Sequence, residues 1–448
     1  MTKRKMKDSG VVWIGQVPEG WNSSRIKYVI KERVGGAWGN DPSEETGENV
    51  ICLRIADFDF ERGVFKNTDE GSLTVRNYTK RQASLLGLKL GDILVEKSGG
   101  GDTCPVGRCV LFDKSYKALF ANFMDRLRAD DALCVARFLQ YWWKMMYLQK
   151  VTWLYVKQTI GIQNLSLTNL LNTELVALPS LPEQRKIAAF LDGECGKIDV
   201  LRGKVEKQIA ALEEYRKSVI TEAVTKGIRR GRKMKPSGVE WIGEVPDGWN
   251  VSRVKYVSSL VTDGSHLSPE TENGEYDFVS IVDVADGKIN FESCLKTSEC
   301  NYKYCVATCC KPQKGDVLIS KDGSVGKTVL ICEDRDFVVA SSLVIIRPKP
   351  DRVISAFLNY NLQTKFIQDR LLLLMHGAGL KRVSVAKNAN LVVVLPPIPE
   401  QREIAAYLDK KCAAIDLMVA KCREELDRLA EYKKSLIYEY VTGKKEVA

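Results

Sequence analysis

The sequence of 448 residues contains only two histidines, His266 and His376, and both lie in its second half. A catalytic site built on histidine therefore cannot recur in both halves of the chain. Five of the 13 cysteines fall between residues 294 and 310, yet these five contain no C-x2-C pair. Structural zinc sites usually use such short paired spacings. The sequence thus predicts unpaired, partly buried thiols in this stretch and no metal site.

The sequence also lacks long apolar runs. No stretch approaches the roughly 18 apolar residues that a membrane span needs. The first residues, MTKRKMKDSG, are basic, but no apolar segment of a secretory signal follows them. We therefore expect a cytoplasmic protein with reduced cysteines and no membrane partner. Its 67 Lys and Arg against 57 Asp and Glu give a net charge of +10, which permits a polyanionic partner without establishing one.

Motifs of nucleotide-binding and nucleic-acid-cleaving enzymes are incomplete. Residues 321–328 resemble a P-loop but lack its first glycine, and the pattern after them is that of a strand instead of the required helix. Asp92, Glu96 and Lys97 are residue types of a metal-dependent nuclease, but Ser320 stands in place of the glutamate in the second half. No Asn/Asp-Pro-Pro-aromatic motif for amino methylation occurs. We expect no catalytic residues in this chain.

What the sequence does contain is a long amphipathic stretch that occurs twice, at residues 178–225 and 217 residues later at 395–442. Pro182 and Glu183 suit the first turn of a helix. Apolar residues then recur alternately four and three positions apart, which is typical of a heptad seam. The predicted seam comprises Ile187, Leu191, Ile198, Leu201, Val205 and Leu212 in the first copy, and Ile404, Leu408, Ile415, Met418, Leu429 and Leu436 in the second.

A helix with one apolar stripe must bury that stripe, and the nearest equal stripe belongs to the other copy. The polar gaps in the two seams coincide: Glu194 matches Lys411, and Gln208 matches Glu425. This match predicts that the two helices pack against each other. The alternative is a pair of unrelated surface helices on two domains.

A second duplication joins residues 7–29 to residues 235–257 at a constant offset of 228. Trp13 and Trp21 match Trp241 and Trp249, and each pair flanks a Pro-acidic-Gly turn. We expect these tryptophans to be packing anchors, with base stacking as the alternative. The linker between the halves, residues 226–235, has six basic residues in ten and is either a solvated connection or a phosphate-binding strip.

A third duplication consists of Gly-Asp-Ile-Leu at residues 91–94 and Gly-Asp-Val-Leu at residues 315–318. In each copy the pattern predicts a strand that ends in a lysine beside a Gly/Ser loop. A lysine beside flexible glycines suits a phosphate contact, because the ammonium and backbone N–H groups can converge on one anion. The alternative is a solvated hairpin loop. In both halves a Gly-containing polar loop follows later, at residues 157–164 and 376–382.

Three motifs thus occur twice in the same order: SGVxWIGxVPxGW, Gly-Asp-(Ile/Val)-Leu and Leu-Pro-x-x-Pro-Glu-Gln-Arg. In this order they resemble the specificity subunits of type I restriction-modification systems over essentially the whole chain. The resemblance implies an α+β fold with two similar mixed α/β target recognition domains. These would be separated by two long helices that form an antiparallel coiled coil, in a pseudo-twofold internal repeat.

On this sequence the resemblance places the first recognition domain, with its N-terminal arm, at residues 1–178. The first conserved helix would follow at residues 179–227. The second recognition domain, with the basic linker, would occupy residues 228–395 and the second conserved helix residues 396–448.

The resemblance also implies a function. Each recognition domain would read one half of a bipartite, asymmetric site on double-stranded DNA, while the helices set the spacer and dock two modification (methyltransferase) subunits. S-adenosylmethionine and ATP with Mg²⁺ would belong to these partners and to a restriction subunit where one is present. The chain itself would bind no cofactor and catalyse nothing. Two alternatives are a stand-alone metal-dependent DNA nuclease and a coiled-coil adaptor without a DNA role.

Phosphate contacts from lysine and arginine would position each domain on DNA, and contacts in the grooves would select bases. We chose candidate DNA-binding residues by their charge and their position in loops. They are Arg54, Lys97, Arg108 and Lys157 in the first domain and Lys321, Lys327, Lys381 and Arg382 in the second.

Overall fold

The computed structural model describes residues 4–66, 70–159, 161–269, 271, 274–376 and 381–447. The chain forms two compact units. Unit 1 comprises Met1–Val205 and Glu424–Ala448, and unit 2 comprises Glu206–Arg423. Each unit therefore takes in one repeat together with parts of both long helices. No helix in the described part of the chain combines the length and the apolar character that a bilayer crossing requires.

Unit 1 begins with short strands and ends in a long helix that continues into unit 2. Its strands are β1 (Met6–Asp8), β2 (Gln16–Pro18), β3 (Asn22–Arg25), β4 (Ile30–Gly35), β5 (Glu48–Leu53), β6 (Phe58–Asp59), β7 (Val64–Phe65), β8 (Val75–Tyr78), β9 (Ile93–Glu96), β10 (Ser98–Gly99), β11 (Cys109–Leu111), β12 (Ala118–Phe120), β13 (Met124–Ala129), β14 (Val156–Thr159), β15 (Ile162–Leu165) and β16 (Leu175–Leu178). Its helices are α1 (Lys80–Leu86), α2 (Ala136–Leu148), α3 (Leu167–Thr173) and α4 (Leu181–Lys226).

The centre of unit 1 is an antiparallel sheet of order β11-β9-β13-β4. A second sheet has the order β12-β5-β8, in which β12 runs parallel to β5. Alternate residues of β9 point to opposite faces of the central sheet, as strand geometry requires. Ile93 and Val95 join one core, which includes the long helices, and Leu94 joins another, which lies with the second sheet.

Unit 2 repeats this arrangement. Its strands are β17 (Met234–Pro236), β18 (Glu244–Pro246), β19 (Asn250–Arg253), β20 (Ser258–Asp263), β21 (Tyr276–Val279), β22 (Val284–Ala285), β23 (Lys288–Ile289), β24 (Leu295–Thr297), β25 (Val317–Ser320), β26 (Thr328–Leu330), β27 (Phe337–Val339), β28 (Leu343–Pro348) and β29 (Val392–Leu395). Its helices are α5 (Val254–Val257), α6 (Glu299–Ala307), α7 (Ser355–Gln363), α8 (Lys365–Leu374), α9 (Val385–Ala389) and α10 (Ile398–Val441), of which α10 continues into unit 1.

The two sheets of unit 2 have the orders β20-β28-β25-β26 and β24-β21-β27, with β21 and β27 parallel. Strand for strand, these match the two sheets of unit 1. Val317 and Ile319 join the core that includes the long helices, and Leu318 joins the opposite core, as their counterparts in β9 do. The predicted α+β fold with two similar mixed domains and two long helices is confirmed.

The long helices pack antiparallel in unit 1. The early turns of α4 share a core with the last turns of α10: Ile187 and Leu191 lie in the same buried cluster as Leu436 and Val441. The Lys433 ammonium lies 2.5 Å from the Asp199 carboxylate across this contact. Because low residue numbers of one helix meet high numbers of the other, the two segments run in opposite directions.

Unit 2 holds the complementary segments in the same way. Ile220 and Val224 of α4 share a core with Ile404 and Leu408 of α10. Arg216 of α4 forms an ion pair of 2.9 Å with Asp416 of α10. Each repeat thus uses the start of its own following helix and the end of the other one. The apolar stripe of each helix is buried in both units.

The observed seam differs from the predicted one at every second position. Ile198 and Val205 are buried, but Leu201 and Met418, which were predicted to be buried, are 48% and 51% exposed. The next residue in the chain occupies each of these places. Arg202 replaces Leu201, and its guanidinium pairs with Glu61, while the buried Val419 replaces Met418. The prediction for Leu201 and Met418 is therefore wrong by one residue.

Electrostatics explains the shift. In the observed seam, the buried thiols Cys195 and Cys412 replace the charged residues Glu194 and Lys411 of the predicted one. Burying an unpaired charge costs several times more than burying a thiol. The other predicted seam residues lie on the covered side of their helices: Leu212 and Leu429 are half-buried, and Ile187, Leu191, Ile404, Leu408, Ile415 and Leu436 are buried.

The Leu-Pro-x-x-Pro-Glu-Gln-Arg motif fixes the start of each long helix through a buried glutamine. The Gln184 side chain accepts a hydrogen bond of 2.7 Å from the backbone N–H of Val135 and donates one of 3.0 Å to the Pro179 carbonyl. Gln401 does the same with Ile354, at 2.9 Å, and with Pro396. Because the glutamine satisfies backbone groups on both sides, it ties the helix to the domain before it.

Two of the four motif tryptophans are packing anchors, as predicted. Trp21 and Trp249 are 1% and 2% exposed. The Trp249 indole N–H donates to Glu400 at 3.0 Å, and Arg232 of the basic linker pairs with the same carboxylate at 2.5 Å. Arg229 of the linker pairs with Glu403. The linker is therefore at least partly bound to the start of α10.

The position of the seam can be tested with a matched pair of substitutions in α4. Replacing buried Ile198 by alanine should lower the free energy of unfolding of unit 1 by about 2–5 kcal/mol, because it leaves a cavity in the core. Replacing Leu201 by alanine should change it by no more than about 0.5 kcal/mol. Urea unfolding of the purified variants measures both values. Equal losses of unfolding free energy in the two variants would contradict the observed seam and support the predicted one.

Candidate nucleic-acid interface

In unit 2 three loops meet where strands β20 and β25 end. The carbonyl of Lys321, directly after β25, accepts a hydrogen bond of 2.7 Å from the N–H of Val383. Backbone pairing also joins Arg382 to Asp322 and to His376. The loop after β20 lies beside them, because the Asp263 carboxylate is 3.4 Å from the Lys321 ammonium. The predicted lysine loop and the Gly-containing loop are therefore neighbours, although residues 377–380 lie outside the described residues.

Unit 1 places its corresponding loops together in the same way. The carbonyl of Lys97 accepts a hydrogen bond of 2.8 Å from the N–H of Leu165. Strand β10, just after Lys97, pairs with β15, and β14 and β15 form an antiparallel hairpin. This hairpin carries Lys157 on an exposed position. Its turn includes residue 160, which lies outside the described residues.

Half of the predicted cations are engaged by carboxylates of their own unit. Arg108 forms a two-pronged pair with Glu96, with both N–O distances at 2.7 Å, and its guanidinium lies 4.4 Å from the centre of the Phe60 ring. Burial is the largest single influence on the pKa of Arg108 and lowers it, but the hydrogen bonds to Glu96 and the attraction of nearby negative charges, Glu96 foremost, together outweigh it and raise that pKa. Arg54 pairs with Asp57 at 2.9 Å.

The two lysines after β9 and β25 are also paired. Lys97 lies 2.6 Å from the Asp125 carboxylate, which Arg33 contacts as well. Lys321 is buried, with 7% of its surface exposed. Its ammonium faces Asp263, which also hydrogen-bonds to His266 at 3.0 Å. These lysines hold the loops in place, and Lys321 has little surface left for a ligand.

The other four predicted cations reach the surface. Lys157, Lys327, Lys381 and Arg382 are exposed. The Lys327 ammonium donates to the carbonyl of Val284 at 2.9 Å. Among the residues that the structure describes, no carboxylate pairs with any of these four side chains. They are therefore the predicted residues best placed for phosphate contacts.

The carboxylates that suggested a metal-dependent nuclease form ion pairs with arginines. Asp92 is bound by Arg128 with N–O distances of 2.7 and 2.8 Å, and Glu96 is bound by Arg108. The pair recurs in unit 2, where Arg347 contacts Asp316 with two distances of 2.9 Å. A metal ion would have to displace these arginines. Within the described ranges, no group of three or more His, Cys, Asp and Glu side chains is arranged to hold a metal ion.

Sequence reasoning missed one exposed aromatic position that occurs in both units. Tyr28 and Tyr256 are 60% and 61% exposed, and the ammonium groups of Lys27 and Lys255 lie 4.8 and 5.0 Å from their ring centres. The apolar residues on either side of each Lys-Tyr pair, Ile26 and Val29 in unit 1 and Val254 and Val257 in unit 2, are buried, so the rings are exposed on the same short turn. The identical Lys-Tyr pair at an offset of 228 was the available signal.

Comparison with known proteins agrees with this architecture. Residues 246–428 match a family model described as the type I restriction modification DNA specificity domain. A putative type I restriction enzyme MjaX specificity subunit from Methanocaldococcus jannaschii is 24% identical over 96% of this chain and 95% of its own length. Over nearly its whole length, the chain is thus similar to a specificity subunit of a type I restriction-modification system.

A second specificity subunit and a solved structure are also similar to this chain. The MjaVIII specificity subunit of the same organism is 27% identical over 60% of this chain and 61% of its own length. A solved structure described as the "structural basis underlying complex assembly and conformational transition of the type I R-M system" has a TM-score of 0.63 and 18% identity. It covers 96% of this chain and 99% of that one, so the similarity in fold extends over both units.

The contrast between paired and unpaired cations predicts different effects on stability. Replacing Arg108 by glutamine should destabilise unit 1 by about 3–5 kcal/mol, because Glu96, which is fully buried, loses its partner. Replacing exposed Lys157 by glutamine is the matched control and should cost no more than about 0.5 kcal/mol. Urea unfolding measures both. A stable Arg108→Gln protein would show that the pair does not support the fold.

Proposed function

We propose that this chain selects the DNA sequence for a type I restriction-modification complex, with each unit reading one half of a bipartite, asymmetric site. The observation that carries the proposal is the duplication of one framework with different side chains in its loops. Both units have the same two sheets, and in both the carbonyl of the lysine that follows the central strand accepts a hydrogen bond from the segment after the Gly-containing loop. Yet Arg54 of unit 1 corresponds to Ser280 in unit 2, and a β-hairpin of unit 1 is replaced by isolated bridges. Two similar readers with different surfaces suit two different half-sites.

The exposed cations supply the contacts that do not depend on sequence. Lys157 in unit 1 and Lys327, Lys381 and Arg382 in unit 2 stand beside the loops that would face DNA. Phosphate contacts of this kind position a protein and make its affinity depend on salt. The paired residues Arg54, Lys97, Arg108 and Lys321 would act differently: they hold the loops in the shape that DNA meets.

Base selection would come from uncharged side chains on the same loops. Gln158 stands next to Lys157 on the β14–β15 hairpin and is exposed. A glutamine amide can pair with the N6 and N7 atoms of adenine in the major groove. A two-stranded hairpin also fits the width of that groove. We propose this hairpin as the base-reading element of unit 1.

The chemistry of the system would belong to partner subunits. The solved structure with the similar fold is described in terms of assembly of the type I system. Each unit here presents paired segments of both long helices, so two modification (methyltransferase) subunits could dock on two similar surfaces. S-adenosylmethionine would bind to them, and ATP with Mg²⁺ to a restriction subunit. The target adenine would flip out of the duplex into the methyltransferase. Because the substrate is cellular DNA, the complex would act in the cytoplasm.

The first test exchanges one reading unit. Residues 22–175 would be replaced by the corresponding residues of a relative, and methylated adenines would be mapped in DNA modified by the assembled complex. We expect one half of the recognised site to change and the other to stay the same. Replacing residues 250–391 is the matched exchange and should change the opposite half. If either exchange altered both halves, the units would not read independently.

The second test measures the phosphate contacts. Replacing Lys157 or Arg382 by alanine should weaken DNA binding of the assembled complex for all sequences alike. Each change should also reduce the slope of log affinity against log salt by about 1. Lys303→Ala is the control, because this exposed lysine already pairs with Glu299 on helix α6. Binding that is insensitive to salt in the parent complex would favour an adaptor without a DNA role.

A further inference from the structure

Unit 2 contains an open cavity beside one of its motif tryptophans. The cavity has a volume of about 330 Å³ and is lined by Trp241, Arg253, Arg370, Lys387, Phe366 and Leu391, among others. Trp241 is 50% exposed, in contrast to buried Trp249 of the same motif. The wall contains three cationic side chains, and its lining includes no carboxylate.

The cations of the cavity are not neutralised by their surroundings. The Arg370 guanidinium lies 5.2 Å from the centre of the Trp241 ring. Arg253 donates to the amide oxygen of Asn390 at 3.1 Å, and Lys387 donates to the carbonyl of Leu374, also at 3.1 Å. All of these acceptors are uncharged. Within the described part of the chain, none of the three cations has a carboxylate partner, so the cavity is a positively charged recess with an apolar floor.

In unit 1 a glutamate fills the place that corresponds to this cavity. Trp13, the counterpart of Trp241, donates its indole N–H to the Glu174 carboxylate at 3.0 Å. The hydroxyl of Tyr155 donates to the other oxygen of Glu174 at 2.5 Å. The carbonyl of Glu174 accepts from the N–H of Ile26 at 3.0 Å. Unit 1 thus covers its tryptophan with a carboxylate of its own.

In unit 2 the position of that glutamate is occupied by Leu391. The match is fixed by the backbone: the Leu391 carbonyl accepts from the N–H of Val254 at 3.0 Å, as the Glu174 carbonyl does from Ile26. Both residues directly precede the strand that pairs with β19 or β3. Because leucine has no carboxylate, the acceptor that Glu174 supplies in unit 1 has no counterpart at this position of unit 2.

We propose that this cavity receives a glutamate side chain of the modification subunit. A carboxylate would accept hydrogen bonds from the Trp241 indole N–H and from the Arg370 guanidinium, since arginine pairs with carboxylates through two parallel hydrogen bonds. Phe366 and Leu391 would cover the methylene groups of that side chain. The corresponding site of unit 1 is already filled, so the contact would occur on unit 2 alone. The proposal rests on the proposed function, in which a modification subunit docks on this chain.

The test measures binding of the purified modification subunit of the same system to the full-length chain by calorimetry. Arg370→Gln should weaken binding about tenfold, because the partner's carboxylate would stay buried without its fork. Leu391→Glu should also weaken it, because the new side chain would fill the cavity from within. Arg352→Gln is the control, since this arginine is exposed in the same unit and pairs with its neighbour Asp351. It should leave binding unchanged.

The outcomes separate the cavity from the wider function. Normal affinity of Arg370→Gln for the modification subunit would overturn the glutamate contact while leaving the DNA-reading role intact. Reduced affinity for DNA with unchanged affinity for the subunit would also overturn it and assign the cavity to a DNA phosphate. If the parent chain bound no modification subunit, the proposed function itself would fail. Should Leu391→Glu not fold, Arg370→Gln alone decides.

Discussion

The burial of one apolar stripe on each long helix is the constraint on which the rest of this structure depends. A helix of 46 or 44 residues with a single apolar face is not stable alone in water, so each one needs a partner along its length. The antiparallel arrangement supplies that partner in both units. As a result, neither repeat is complete by itself: unit 1 needs residues 424–448, and unit 2 needs residues 206–226. Assembly of the two halves is thereby part of the fold.

Within each unit, charge is used mainly to fix the framework. The buried carboxylates Asp92 and Asp316 hold equivalent arginines near the ends of the inner strands β13 and β28, and Glu96 holds Arg108. A buried carboxylate is stable only when its partner is present, so these pairs also define where the loops begin. Of the predicted DNA-binding cations, those without a carboxylate partner among the described residues are exposed: Lys157, Lys327, Lys381 and Arg382. Because the paired charges fix the sheets and the exposed charges lie outside them, loop residues can differ between the two units while the sheets stay the same.

Much of the fold could be predicted from the sequence, because duplicated motifs and long heptad patterns are strong signals. The exact seam was not predictable from apolar spacing alone. Both phases of the pattern share Ile198 and Val205. The observed phase buries the thiols of Cys195 and Cys412 in place of Glu194 and Lys411, and it also needs Arg202 to pair with Glu61, a residue far away in the chain. The matching polar residues Glu194 and Lys411 favoured the wrong phase. They match because they occupy equivalent positions of the two helices, next to the seam and not in it.

The candidate interface was harder to predict than the fold for a related reason. Charge and loop position select lysines and arginines, but they do not reveal which of them are neutralised. Arg108 and Glu96 are 12 residues apart, and Lys321 meets Asp263 from another strand. Such pairs form only when the sheet brings distant residues together. The unfilled place of Glu174 in unit 2 is a similar case, because it becomes visible only when the two units are superimposed by their backbone hydrogen bonds.

The end of α10 has a further consequence for the order of segments in the chain. The Tyr438 hydroxyl donates to the carbonyl of Ile14 at 3.0 Å, so the first motif and the last helical turns are in contact within unit 1. A gene rearranged to connect these two regions and to open the chain at Gly231 would keep every helix pair and every sheet. This fold therefore constrains which segments pack together more than the order in which the chain connects them.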